Sequence, residues 1–263
     1  MSILESILLG IVQGLTEFLP VSSSGHLVLL QNVFGISEPQ LFFDTMLHLG
    51  TLVAVVIVMW QSIMDIFRNF FSKMTLCLIV ATIPAIVATL FFGDFFEETF
   101  TGIYLGYEFL LTACVLALSE VISKHVKSKR EIGIGTSLTM GVAQAVSILP
   151  AVSRSGLTIA GGLVAGVDRR KAASFSFLMS IPAIIGSVVL QGSKVIKDTS
   201  LHVEWLPTIV GMVCAAVSGY FAIKFMLALI TRKRLYGFAI YVALLGIFVL
   251  LDQYLLKTIN WAY

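Results

Sequence analysis

Six stretches of this chain, at about 45–63, 75–93, 103–122, 173–191, 206–230 and 236–256, are apolar runs of roughly twenty residues. About that length is needed for a helix to cross a hydrocarbon layer roughly 30 Å thick. Seventeen basic and 15 acidic side chains in 263 residues are too few to cover a soluble fold of this size. Charged residues make up 12% of the chain and apolar ones 58%, against about 25% and 45–50% in soluble domains. The expected fold is an all-α polytopic membrane protein. Cys77, Cys114 and Cys214 each lie inside an apolar run and form no C-x-x-C pair, so they read as small buried apolar residues rather than disulfide or zinc ligands. The net charge is only +2, and the triplets Arg169-Arg170-Lys171 and Arg232-Lys233-Arg234 are flanked by apolar runs. They read as loop anchors at a bilayer surface, not as a nucleic-acid footprint. No basic n-region precedes the first apolar run, and residue 1 onward reads as mature protein.

Residues 3–34 and 133–167 differ from the other runs. Each is apolar but broken in the middle, by Pro20-Val21-Ser22-Ser23-Ser24-Gly25 and by Pro150-Ala151-Val152-Ser153-Arg154-Ser155-Gly156. The arms on either side are about 11–17 residues, short for a full crossing. Re-entrant hairpins fit better than two further spans each, because a broken backbone at membrane depth needs protein or a wet cavity around it. With six spans and two hairpins, the basic loops 64–74 (Arg68, Lys73), 123–131 (Lys124, Lys127, Lys129, Arg130), 168–171 and 231–234 fall on one side. The positive-inside rule makes that side cytoplasmic. Loop 94–102, with Asp94, Glu97 and Glu98, falls outside, as do both termini and, as a mild exception, Lys194 and Lys197. The first hairpin then enters from outside and the second from the cytoplasm.

An internal repeat accounts for this arrangement. Gly10-Ile-Val-Gln13 recurs as Gly141-Val-Ala-Gln144, and Ser22-Ser-Ser-Gly25 as Ser153-Arg-Ser-Gly156, both at an offset of 131. Each half, 1–131 and 132–263, is expected to contain one hairpin and three spans. An odd number of crossings makes the halves inverted repeats within one integrated domain, and such folds place their site near the midplane where broken helices meet.

The hairpins carry the polar residues. Gln13 and Glu17 are i,i+4 on one helical face. Ser22, Ser23 or Ser24 can cap the helix after the break, and His26 lies in its first turns. A carboxylate inside an apolar segment is expensive and usually functional. Beside it, His26 reads as a proton-transfer or nucleophilic group rather than a packing residue. In the second hairpin, Arg154 stands at a helix start among Ser153, Ser155 and Thr158, an arrangement suited to phosphate. The structural alternative is an Arg154–Glu17 pair joining the halves. Asp44 and His48, also i,i+4, either support the site or mark an interface. Trp60, Trp205, Tyr254, Trp261 and Tyr263 read as aromatic-belt anchors, and His125 and His202 as solvated loop residues.

Gln13-Gly-Leu-Thr-Glu17-Phe-Leu-Pro-Val-Ser-Ser-Ser-Gly-His26, paired with Leu149-Pro-Ala-Val-Ser-Arg-Ser-Gly-Leu-Thr158, closely resembles the bacterial undecaprenyl-diphosphatase family, the bacitracin-resistance membrane phosphatases. The resemblance runs over the whole chain. It implies hydrolysis of a C55 prenyl diphosphate on the external face of the bacterial plasma membrane, regenerating the monophosphate carrier for cell-wall synthesis. It implies catalytic roles for Glu17, His26, Ser23 and Arg154, and substrate contacts from Gln13, Ser22, Ser24, Ser153, Ser155, Thr158 and Arg154. It also implies a divalent cation, Mg²⁺ or Ca²⁺, held by Glu17 and Gln13. The family's Pro-Gly is Pro150-Ala151 here, which puts a φ > 0 turn at Ala151 in doubt. The type 2 phosphatidic acid phosphatases share Ser-Gly-His and Ser-Arg stretches, but this chain lacks their second histidine after Arg154 until His202. A two-histidine relay is therefore unsupported.

The implied partners are a long-chain prenyl diphosphate and the membrane, with no nucleic acid; a homodimer stays open. The attacking group is Ser23, with His26 three residues on as its general base, or a water activated by His26. A lipid or anion transporter is the rival reading, since inverted repeats and broken helices also serve alternating access. A purely structural scaffold would leave Glu17 and Arg154 without a reason.

Overall fold

The computed structural model describes all residues except 37–39, 100–101, 127–129, 198–203, 233, 260 and 262–263. Glu38, Lys127, Lys129, Lys233, His202 and Tyr263 therefore lie outside the described residues, as do the side chains of Asp94, Glu97, Glu98, Lys194 and Lys197. The rest is helical: α1 (Ile3–Phe18), α2 (Ser23–Val33), α3 (Leu41–Val58), α4 (Trp60–Arg68), α5 (Lys73–Thr99), α6 (Leu105–His125), α7 (Ile134–Val146), α8 (Arg154–Val164), α9 (Arg169–Lys197), α10 (Trp205–Leu229) and α11 (Tyr236–Leu251), the last running into a π-helical turn at Asp252–Leu256. Among the described residues five helices are long and apolar enough to cross a membrane, or six where the bent α3–α4 pair is counted as one broken span. The chain is an all-α polytopic membrane protein.

Helix pairs α1–α2 and α7–α8 stand where the two hairpins are expected, and local chemistry explains their bounds. A capping box starts α1: the Glu5 amide donates to Ser2 Oγ at 3.2 Å, and the Ser2 amide to Glu5 Oε2 at 2.8 Å. Pro20 ends α1, because the residue before a proline is pushed out of helical geometry, and Leu19 is extended at φ −80°, ψ 145°. Ser22 caps α2 and Ser153 caps α8, each accepting the backbone N–H three residues on. The offset of 131 that relates the motifs also relates the elements, since α2 displaced by it gives the bounds of α8.

Three expectations are corrected. The first span does not run to residue 63. It breaks at Met59, and α4 turns 76° away from α3. Gln61, Ser62, Asp65 and Arg68 intersperse with Ile63, Ile66 and Phe67 in α4, so this helix has a polar face that cannot continue into lipid, and none of its residues is buried. The triplet Arg169–Lys171 is not a loop but the first turn of α9, whose N-terminus Asp168 caps by accepting the Arg170 and Lys171 amides. Trp261 is not a belt residue: it is buried, and its indole N–H donates to Asp252 at 2.9 Å. Trp60, Trp205 and Tyr254 are exposed. Of the cysteines, only Cys77 is buried as expected; Cys214 is half-buried and Cys114 exposed.

Glycines set the closest helix contacts. A Cβ on Gly10 or Gly14 of α1 would lie 2.3 Å from the Gly211 carbonyl or 2.0 Å from Ser218 Oγ of α10. On Gly141 of α7 it would lie 2.5 Å from the Ala81 carbonyl of α5. The first arm of each hairpin thus rests on a span of the other half, which ties the two halves into one body.

The described basic loops gather at one end. Arg169 donates to Glu120 at the end of α6 and to the Ile230 carbonyl at the end of α10, while the Arg130 amide bonds to Gly166. Asp65 and Asn69 after the α3 break share a cleft with Glu131, Asp168 and Arg170. The opposite end joins the N-terminal ammonium to Glu204 at 2.8 Å and sets Phe42 edge-on to Trp205. So α1 starts at the end away from the basic loops, α7 starts among them, and the two hairpin tips meet between.

Candidate active site

The tips interlock through their serines. Ser22 Oγ donates to the Pro150 carbonyl at 3.0 Å, Ser24 Oγ donates to the same carbonyl, and Ser155 Oγ returns a bond to the Leu19 carbonyl at 2.9 Å. Thr158 Oγ1 bonds to the Arg154 carbonyl at 2.8 Å and to Ser176 at 2.6 Å, and Ser153 Oγ lies 3.5 Å from Ser155 Oγ. Ser22, Ser24 and Ser155 thus direct their protons at backbone carbonyls. Ser22 takes the positive φ (68°) that Ala151 avoids, so the backbone tension of the paired tips sits in the first hairpin.

Helix α6 supports the second tip. Glu108 Oε2 accepts from the Ala151 amide at 3.0 Å. Thr112, one turn on, donates to the Ala151 carbonyl and accepts from the Ser153 amide. Gly25 lies against the same place: a Cβ there would meet Phe109 at 2.7 Å and Ala151 Cα at 3.0 Å.

The interlock brings Glu17 and Arg154, 137 residues apart, into a direct ion pair through Nη2 and Oε1. The other carboxylate oxygen, Oε2, accepts from Ser23 Oγ at 2.5 Å and from Gln13 Nε2 at 3.0 Å. His48 Nε2 lies 3.5 Å away, so of the α3 pair it is His48 that reaches the site, while Asp44 accepts from Gln31 at 2.7 Å. Glu17 is buried at 5% exposure, so this cluster is an embedded polar site.

His26 goes elsewhere. Its Nδ1 meets the Ser22 carbonyl at 2.6 Å and its Nε2 the Tyr241 hydroxyl at 2.8 Å, so the base facing Ser23 is Glu17 rather than the histidine three residues on. Two polar atoms at the cluster are buried without a partner, Arg154 Nη1 and Gln13 Oε1. Unmet donors and acceptors at one buried place suit an anionic ligand with an accompanying cation. Among the described residues no three His, Cys, Asp or Glu are grouped as a metal cage.

Glu108, Thr112 and Tyr241 are neighbours of the tips that sequence reasoning passed over. Glu108 carried the signal used for Glu17, an ionisable residue within an apolar run. Tyr241, an aromatic within another run, carried none.

Broken helices meeting at a buried Glu–Arg–Ser cluster give this all-α polytopic membrane protein an embedded polar site. The family described as bacitracin resistance protein BacA matches residues 6–248, and the chain belongs to that family. The chain is 44% identical over 256 residues to the undecaprenyl-diphosphatase of Carboxydothermus hydrogenoformans, covering 96% of this chain and 98% of that one. It is 45% identical over 255 residues to undecaprenyl-diphosphatase 3 of Bacillus cereus, covering 97% and 98%. Against the undecaprenyl-diphosphatase of Methanobrevibacter smithii it is 41% identical over 277 residues, covering 96% and 98%.

Proposed function

We propose that this chain hydrolyses undecaprenyl diphosphate to undecaprenyl phosphate and inorganic phosphate, recycling the lipid carrier for cell-wall synthesis and conferring bacitracin resistance. The observation that carries the mechanism is Ser23 Oγ at 2.5 Å from a carboxylate that Arg154 shares. Glu17 takes the Ser23 proton as the serine oxygen bonds to the terminal phosphorus, and the P–O bond to the prenyl phosphate breaks. Water activated by His26 then attacks the phosphoserine phosphorus as the Oγ–P bond breaks; Ser23 takes back the proton held by Glu17, and the proton lost by the water leaves with inorganic phosphate. Arg154 binds the phosphoryl oxygens through the unpartnered Nη1, where charge builds in the transition state. The N-terminal turns of α2 and α8 open at the same junction and add their partial positive charge.

Glu17 and Gln13, whose Oε1 has no partner, would be the residues to hold a bound Mg²⁺ or Ca²⁺. Such an ion supplies charge neutralisation of the diphosphate.

The halves act as inverted repeats within one domain, which is supported by the shared offset of their elements and by hairpins that start at opposite ends. With the basic end cytoplasmic, the site opens to the external face of the plasma membrane, and the prenyl tail leaves sideways between spans.

The test is phosphate release by purified protein in detergent from a long-chain prenyl diphosphate with Mg²⁺ or Ca²⁺. Wild type should turn over, and Glu17→Ala and Arg154→Ala should stop it while folded protein remains. A wild type that releases none with either ion, yet moves prenyl phosphate across liposomes, would establish the transporter reading instead.

A further inference from the structure

We propose that Tyr241 is a positioning residue for this reaction, holding through its hydroxyl the one free edge of His26. The inference rests on the diphosphatase reading and concerns a residue that no motif of either hairpin contains. A carbonyl oxygen can only accept, so His26 Nδ1, 2.6 Å from the Ser22 carbonyl, carries a proton. That leaves Nε2 as the nitrogen through which the imidazole gains or loses its other proton, and the Tyr241 hydroxyl lies 2.8 Å from it. The bond survives both states: the hydroxyl donates to a neutral imidazole, and its oxygen accepts from an imidazolium.

The ring is fixed as well as the edge. Tyr241 stacks on His26 at 5.7 Å and 14°, and Phe109 meets it edge-on at 5.6 Å. His26 is buried at 8% exposure while Tyr241 is 47% exposed, so the tyrosine stands between the imidazole and the outside of the bundle. Its place in α11, 215 residues from His26, joins the last helix to the first hairpin.

Tyr241→Phe keeps the stacked ring and removes only the hydroxyl. In the phosphate-release assay it should lower kcat about tenfold with KM within about twofold, at unchanged thermal stability. In a His26→Gln background, adding Tyr241→Phe should lower kcat no further, because the tyrosine acts through the histidine. Wild-type kcat in Tyr241→Phe, or effects that multiply in the double variant, would overturn the inference while leaving the diphosphatase reading intact. A wild type with no turnover would overturn both.

Discussion

Glu17 has two oxygens and four claimants, Arg154, Ser23, Gln13 and His48. Removing its charge leaves a largely buried guanidinium unpaired, a loss of about 3–5 kcal/mol for pairs of this kind. Glu17→Gln should therefore lower both the melting temperature in detergent and the rate of phosphate release, the latter by about 10²–10⁴-fold if it is the base for Ser23. Ser22 offers a separate test. Glycine tolerates its φ of 68° and caps helices nearly as well as serine, whereas alanine does neither. Melting curves should place Ser22→Gly above Ser22→Ala; the reverse order would show that the Pro150 bond outweighs the backbone tension. At this scale the motifs marked the right neighbourhood, because an ionisable residue in an apolar run is conspicuous. The pairing within it was not legible. Three residues of separation suggested that His26 serves Ser23, yet the helix turn directs the imidazole to Tyr241 and the serine to Glu17.

Among the elements, small residues set the contacts. Gly14 has backbone and Ser218 within 2.0–2.6 Å of an added Cβ, so Gly14→Ala overpacks α1 on α10 and should cost about 1–3 kcal/mol. Gly186 in α9 has nothing within 4 Å, and Gly186→Ala should gain up to about 1 kcal/mol from helix propensity. Thermal melts of the two side by side test whether close approach, rather than glycine itself, explains the difference. The spans were readable because bilayer thickness sets helix length. The break at Met59 was not, since residues up to 63 remain apolar enough for a window and only the polar face of α4 forces the turn.

Taken whole, the molecule is held at its basic end by Glu120, which is 1% exposed and accepts from Arg169 and the Leu235 amide, joining α6, α9 and the start of α11. Glu120→Ala leaves Arg169 without this partner at a junction of three helices and should cost about 3–5 kcal/mol. Since it lies far along α6 from Glu108, phosphate release per folded molecule should be unchanged; a selective loss of rate would instead tie the basic end to the site. What the sequence determined by itself is the class of fold, the two hairpins and the ionisable residues embedded in them, because these follow from each segment's own contest with the bilayer. Only the tertiary structure decided that Glu17 meets Arg154, that Glu108 holds Ala151 and that Tyr241 holds His26. Those partners lie tens to hundreds of residues apart, and helix packing, not local pattern, chooses which of them meet.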